Sequence, residues 1–226
     1  MIFTKKNSED KTVVAMLASA LRRDISFGTL RPDEKLKIES LRQRYGGSNH
    51  SMRETLRMLD AEGLVEATAQ RGFRVTSATE EDLRDVMQVR IEIEKTGLSW
   101  ALKRGDVHWE GRIMATHHAL QKAEEAVQKN PDDLTALEWD EASRAFFASL
   151  IEASESPRLI DLQQKFFDQS RRFRLALLRE GRLDFEARKQ RQKKLVEAIL
   201  ARDEEGALSA LTQEIESELW ADARTY

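Results

Sequence analysis

Residues 48–66 read SNHSMRETLRMLDAEGLVE, and the fold turns on how this stretch is read. Ser48 is a helix-capping residue type, and Met52, Leu56 and Leu59 recur behind it at helical spacing, giving one buried side. Asp60-Ala61-Glu62-Gly63 breaks the helix, and Leu64-Val65 resumes as a short apolar strand. Asn49, His50, Ser51 and Arg53 fall on the first turns. Such side chains add little to a core. They suit a surface that must hydrogen-bond something outside the chain.

Upstream, Val13, Val14, Met16, Leu17, Leu21 and Ile25 have helical spacing, and Gly28 ends that run. The segment GTLRPDEKL reads as a turn around Pro32. Ile38, Leu41 and Tyr45 then give a short second helix, closed by Gly46-Gly47. Downstream, LVEATAQRGFRVTS reads as two short strands joined at Gln70-Arg71-Gly72. From Thr79 onward the pattern is helical, with helices expected near 80–104, 107–129, 131–154, 156–180, 184–202 and 203–222. The expected fold is mainly α, with a helix-rich head ending in a hairpin over 1–78 and an all-α bundle of about six helices over 79–226.

Composition narrows the function. With no cysteine, disulfides and thiolate metal sites are excluded. No apolar run reaches the roughly 18 residues a membrane helix needs, and the first residues have no apolar core of signal-peptide length, so a cytoplasmic protein with no membrane partner is expected. Residues 1–78 carry 14 Lys and Arg against 10 Asp and Glu, whereas the remaining 148 carry 23 against 30. The overall charge of −3 hides a basic front on an acidic body, the distribution expected of a nucleic-acid-reading head on a separate regulatory body. No nucleophile–base pair, phosphate-cradling glycine loop or metal cluster is evident, so neither an enzyme nor a bound cofactor is expected.

The ordered pattern I..G.L.P...L, then Ser48, Arg53, Glu54 and Leu56, then L..EGLVE and RGF.V, resembles the winged helix-turn-helix of the GntR superfamily of bacterial transcription regulators. The resemblance covers about 60 residues and implies a homodimer on a palindromic DNA operator. It implies that Ser48, Asn49, His50 and Ser51 meet base edges or nearby phosphates and that Arg53 contacts DNA. Arg42 on the preceding helix, with Arg71 and Arg74 on the wing, would hold phosphates. Many relatives have arginine where this chain has Asn49, and asparagine can pair with adenine instead. The alternative is that Asn49 and His50 merely begin a solvated helix.

Residues 80–222 resemble the FCD ligand-binding domain of the FadR-like branch, through EEDLRDVMQVRIEIEKTGLSWAL, FFASLIEASESPRLIDL and RQKKLVEAILARDEEGALSAL. Most such domains hold a metal on one Asp and three His. In this chain those places are Ser143, Phe147, Gln192 and Glu214, so no metal is expected. With Arg90 and Glu94 they would line a pocket for a small carboxylate or a more apolar effector. Arg90 either anchors that carboxylate or pairs with Glu94 one turn on, and Phe146 and Phe147 either line the pocket or fill it. The rival reading is a ligand-independent DNA-binding dimer whose body serves only dimerisation. His117 and His118 read as surface or helix-packing residues, and Trp100, Trp109, Trp139 and Trp220 as packing residues. The run Arg171, Arg172, Arg174 and Arg179 reads as a solvated helix face, or else as lining the cavity or an interface.

Overall fold

A computed structural model of the chain describes residues 3–68 and 72–217, and they divide into two compact units, Met1–Asp82 and Leu83–Tyr226. The first unit contains α1 (Phe3–Ser26), β1 (Lys35–Leu36), α2 (Ile38–Tyr45), α3 (Asn49–Ala61), β2 (Val65–Ala67) and β3 (Phe73–Val75). Its core is apolar. Leu17, Leu21 and Ile25 of α1 meet Met52, Leu56 and Leu59 of α3, with Leu41, Leu64 and Val75 closing the cluster. The three apolar residues that defined α3 in the sequence are fully buried, as their spacing requires.

The strands form an antiparallel sheet in the order β1-β3-β2, with Lys35 opposite Arg74 and Arg74 opposite Glu66. β1 is an addition to the expected hairpin. The turn around Pro32 is present, but its exit residues pair with β3 because Leu36 reaches the core there. One apolar residue in a two-residue strand leaves no periodicity to read.

α2 and α3 are joined by Gly46 and Gly47, both left-handed, with φ of 80° and 82°. At Gly47 an added Cβ would lie 3.0 Å from a Leu17 methyl and from Ser51 Oγ, so the turn tolerates only glycine there.

The second unit is carried by α4 (Glu80–Arg104), α5 (Val107–Lys129), α6 (Asp133–Ile151), α7 (Pro157–Arg179), α8 (Phe185–Leu200) and α9 (Glu204–Glu216). A 3-10 turn, Glu152–Ser154, links α6 to α7. Capping carboxylates begin α5, α6, α8 and α9, from Asp106, Asp132, Asp184 and Asp203. α5 packs on α6 and α8, α6 on α7, and α8 on α9. Trp109 and Trp139 are fully buried, but Trp100 is 40% exposed beneath the Arg104 guanidinium, against the packing role expected of it. α4 is amphipathic there, and Trp100 falls outside its inward face. Trp220, and the expected helical residues 218–222, lie outside the described residues.

Candidate functional site

In the head, the start of α3 is built by a capping box. Ser48 Oγ accepts from the Ser51 N–H at 3.0 Å, and Ser51 Oγ accepts from the Ser48 N–H at 2.9 Å. This corrects the expectation for Ser51. It is buried, and its hydroxyl is committed to the cap and to the Ser48 carbonyl rather than to a DNA surface. Ser48, Asn49, His50 and Arg53 are exposed on the first turns of α3. Arg42, from α2, donates through Nε to the Gly47 carbonyl (3.2 Å) and through a terminal nitrogen to Asn49 Oδ1 (3.1 Å).

On the sheet, Arg74 is ion-paired with Glu66 across β2 and β3 at 3.0 Å, and Lys35 stands opposite Arg74 on β1. Lys35 is therefore a wing cation that the sequence hid inside a turn. Arg71 lies outside the described residues. Behind α2, Asp24 accepts from Tyr45 Oη (2.6 Å) and Arg44 (2.9 Å). Burial, then the hydrogen bond to Asp24, drives the Tyr45 phenol above its ordinary range.

The body gathers charge inward. Arg90, Arg174 and Arg188 are at most 1% exposed. Arg90 Nε donates to Glu94 Oε1 at 2.6 Å, so the pairing alternative is the one formed. The Arg90 guanidinium also lies 4.6 Å from the Phe147 ring centre and 4.5 Å from that of Phe167. Phe146 and Phe147 are fully buried, in contact with each other and with His117 and Phe167 respectively. His117 is half-buried against Phe146, and burial lowers its pKa. His118 is exposed.

A second centre joins α6 to α7. Asp140 accepts from Arg174 Nε (3.2 Å), an Arg174 terminal nitrogen (2.7 Å) and Arg171 Nε (2.5 Å). Arg174 also donates to the Phe167 carbonyl and to Ser170 Oγ. The basic run on α7 is thus no simple solvated face. Arg174 and, in part, Arg171 are internal because Asp140 is their partner.

A third centre joins α5, α8 and α9. Arg188 lies 3.6 Å from Glu124 Oε1 and 3.3 Å from Glu214 Oε1. Gln192 Nε2 donates to both carboxylates, at 3.1 and 3.3 Å, and Arg191 donates to Glu214 Oε2 at 2.7 Å. Burial raises the Glu124 pKa against the opposing pull of Arg188. The Arg188 guanidinium faces the Trp139 ring at 5.6 Å.

Of the six expected lining residues, Gln192 and Glu214 meet in this centre, and Arg90, Glu94 and Phe147 meet in the first. Ser143 lies on α6 between Trp139 and Phe147, one turn from each. Sequence reasoning missed Glu124, Asp140, Gln163, Phe167 and Arg188. Arg188 stands one turn before Gln192, and Gln163 one turn before Phe167, but their partners are distant in sequence.

The donor set does not fit a metal. Phe147 offers no ligand atom, and Glu214 and Gln192 already face guanidinium or carboxylate partners. Among the described residues no group of three His, Cys, Asp or Glu side chains is arranged to hold one. Trp139 Nε1, Ser143 Oγ, both ends of the Gln163 amide and Gln192 Oε1 are buried and have no hydrogen-bond partner among the described residues. Buried polar atoms of this kind are normally met by water or a ligand.

A winged helix-turn-helix head with an exposed polar helix start, joined in one chain to an all-α body, is the architecture of a DNA-binding regulator with a helical C-terminal domain. Comparison with known proteins makes this specific. The model of the bacterial regulatory proteins of the gntR family matches residues 14–75, and that of the FCD domain matches residues 85–217. The chain belongs to the GntR family of transcriptional regulators with an FCD domain. It is 34% identical over 200 residues to the HTH-type transcriptional repressor GlaR of Escherichia coli, covering 86% of this chain and 89% of that protein. It is 32% identical to the HTH-type transcriptional regulator BphR of Paraburkholderia xenovorans, over 92% of this chain and 84% of the other. Two solved structures share the fold: Escherichia coli McbR/YncC (TM-score 0.71, 18% identity, 90% and 93% covered) and a GntR transcriptional regulator from Rhodococcus sp. RHA1 (0.70, 21%, 94% and 98%). No helix among the described residues is long and apolar enough to cross a membrane.

Proposed function

We propose that this regulator acts as a homodimer in the cytoplasm, with two heads reading the halves of a palindromic operator. In this reading Asn49, His50 and Arg53 face the DNA, with Arg42, Arg74 and Lys35 toward phosphates. The observation that carries it is the exposed polar start of α3 above an apolar core, the geometry of a helix laid in a major groove. Two-fold symmetry in the protein then calls for two-fold symmetry in the site. Selection from a random duplex pool tests this, with Arg53→Ala as control. A palindrome enriched by the protein and lost by the variant is expected. Affinity for it should fall with salt, with a log–log slope of about −0.9 for each phosphate neutralised. An affinity flat between low and moderate salt contradicts the reading.

We further propose that a small effector, a carboxylate or a more apolar molecule, enters the bundle and shifts the spacing of the heads. The unpartnered polar atoms of Ser143, Gln163 and Gln192 support this. Arg90, which lies over Phe147 and pairs with Glu94, would border it. A thermal-shift screen over metabolite classes tests it, because a ligand binding only the folded state raises the melting temperature with concentration. One observation favours the rival ligand-independent dimer. The Glu124–Arg188–Gln192–Glu214 cluster and the Phe146–Phe147 pair already fill much of the interior. Stabilisation by no class of metabolite, with operator binding intact, would favour that rival.

A further inference from the structure

We infer that Arg42 sets the base preference of α3 by holding the Asn49 amide with its oxygen turned to the guanidinium, so that this side chain offers donors only. This rests on the reading that α3 faces DNA. A guanidinium has donors and no acceptor, so the Asn49 atom that meets it must be Oδ1. Turning the amide end for end would set two donors against each other. Arg42 is itself braced, because its Nε donates to the carbonyl of Gly47. Gly47 is confined by its left-handed φ and by the Leu17 methyl and Ser51 Oγ beside it.

With the oxygen occupied, the two Nδ2 hydrogens of Asn49 point away from Arg42. Three Arg42 N–H groups are not committed to Gly47 or Asn49. Together they form a donor edge at the positive end of a helix. In the major groove guanine presents two acceptors, N7 and O6, whereas adenine presents one acceptor and one donor. The donor edge suits guanine. A free asparagine, able to turn its oxygen outward, suits adenine. Arg42 is therefore a positioning residue acting through Asn49, and it sets sequence preference in addition to any phosphate it meets.

The test is selection from a random duplex pool with the full chain and the variants Arg42→Ala, Asn49→Ala and both together. Arg42 and Asn49 are exposed, and circular dichroism checks that each variant is folded. The unaltered protein should require guanine at one position per half-site, by on the order of ten-fold over adenine. Arg42→Ala should shift that one position toward adenine and leave the others unchanged. Asn49→Ala should erase the preference there, and the double variant should match it. If Arg42→Ala weakens all duplexes equally, flattens the salt dependence and leaves base preferences intact, Arg42 only holds phosphate and the inference fails alone. Adenine at that position in the unaltered protein also overturns it. Failure of the unaltered protein to enrich any duplex would remove the DNA-facing reading of α3, and this inference with it.

Discussion

The head and the body use charge in opposite ways. In the head, Leu17, Leu21, Met52, Leu56 and Leu59 make an apolar core, and Arg42, Asn49, His50 and Arg53 stay outside it. In the body, Arg90, Arg174 and Arg188 are interior, each beside a buried carboxylate. Arg53 keeps its charge at the surface of the head, whereas Arg90, Arg174 and Arg188 are held inside the body by carboxylates of the chain. The difference also predicts how each part fails. An apolar core loses stability by leaving a hole. An ionic core loses it by stranding a charge, since desolvating an ion costs several kcal/mol that only its partner offsets.

The largest effect should follow from Asp140→Ala. It removes the buried carboxylate that faces the Arg174 charge, which costs about 3–5 kcal/mol. All four tryptophans lie in residues 83–226, so denaturant unfolding followed by tryptophan fluorescence reports the body. Its midpoint should fall sharply in this variant. Leu56→Ala should cost the head about 2–5 kcal/mol through a cavity, moving the circular-dichroism transition and leaving the tryptophan transition in place. If Asp140→Ala is as mild as a surface change, the contrast between the two cores is wrong.

A smaller effect should come from the cap of α3. Ser48→Ala should lower the stability of the head by about 1 kcal/mol. Ser51→Ala should cost a similar amount, and the double variant less than the two together, because each hydroxyl serves the other's backbone. Additive losses would mean that Ser51 acts outside the cap, and would restore it as a candidate for DNA contact.

What could be read from the sequence follows the range of the interaction involved. The Gly46-Gly47 turn, the Ser48 cap, the buried Met52, Leu56 and Leu59, and the breaks between the body helices are set by neighbours within a few residues. β1 could not be read, because Lys35 and Leu36 become a strand only by meeting Arg74 and Phe73. Ser51 was misread because a polar residue at a helix start serves a cap or a ligand equally well. The run from Arg171 to Arg179 leaves a solvated face, a cavity lining and an interface all open until Asp140, 34 residues before Arg174, is placed beside it. At the candidate effector site Gln192 and Glu214 were found through resemblance. Their neighbours Glu124 and Arg188, equally close in space, had no local pattern to mark them.

Glu124 gives the smallest expected effect and the finest test of the ionic core. Burial raises its pKa above the ordinary value of 4.5, although Arg188 and Gln192 pull the other way and Glu214 adds repulsion. For an acid, a raised pKa in the fold means that the unfolded chain releases its proton first. The folded state then binds more protons between the two values, and its stability falls as pH rises through that window. Below 4.5 the proton is present in both states and the penalty is absent. Glu124→Gln, which keeps the shape and the acceptor for Gln192, should remove this decline. Denaturation midpoints of the body, measured upward from pH 4.5, should fall less in the variant than in the unaltered chain. A steeper fall in the variant would mean that Arg188 needs both carboxylates charged. The centre would then be a balanced ion cluster, with the proton playing no part in it.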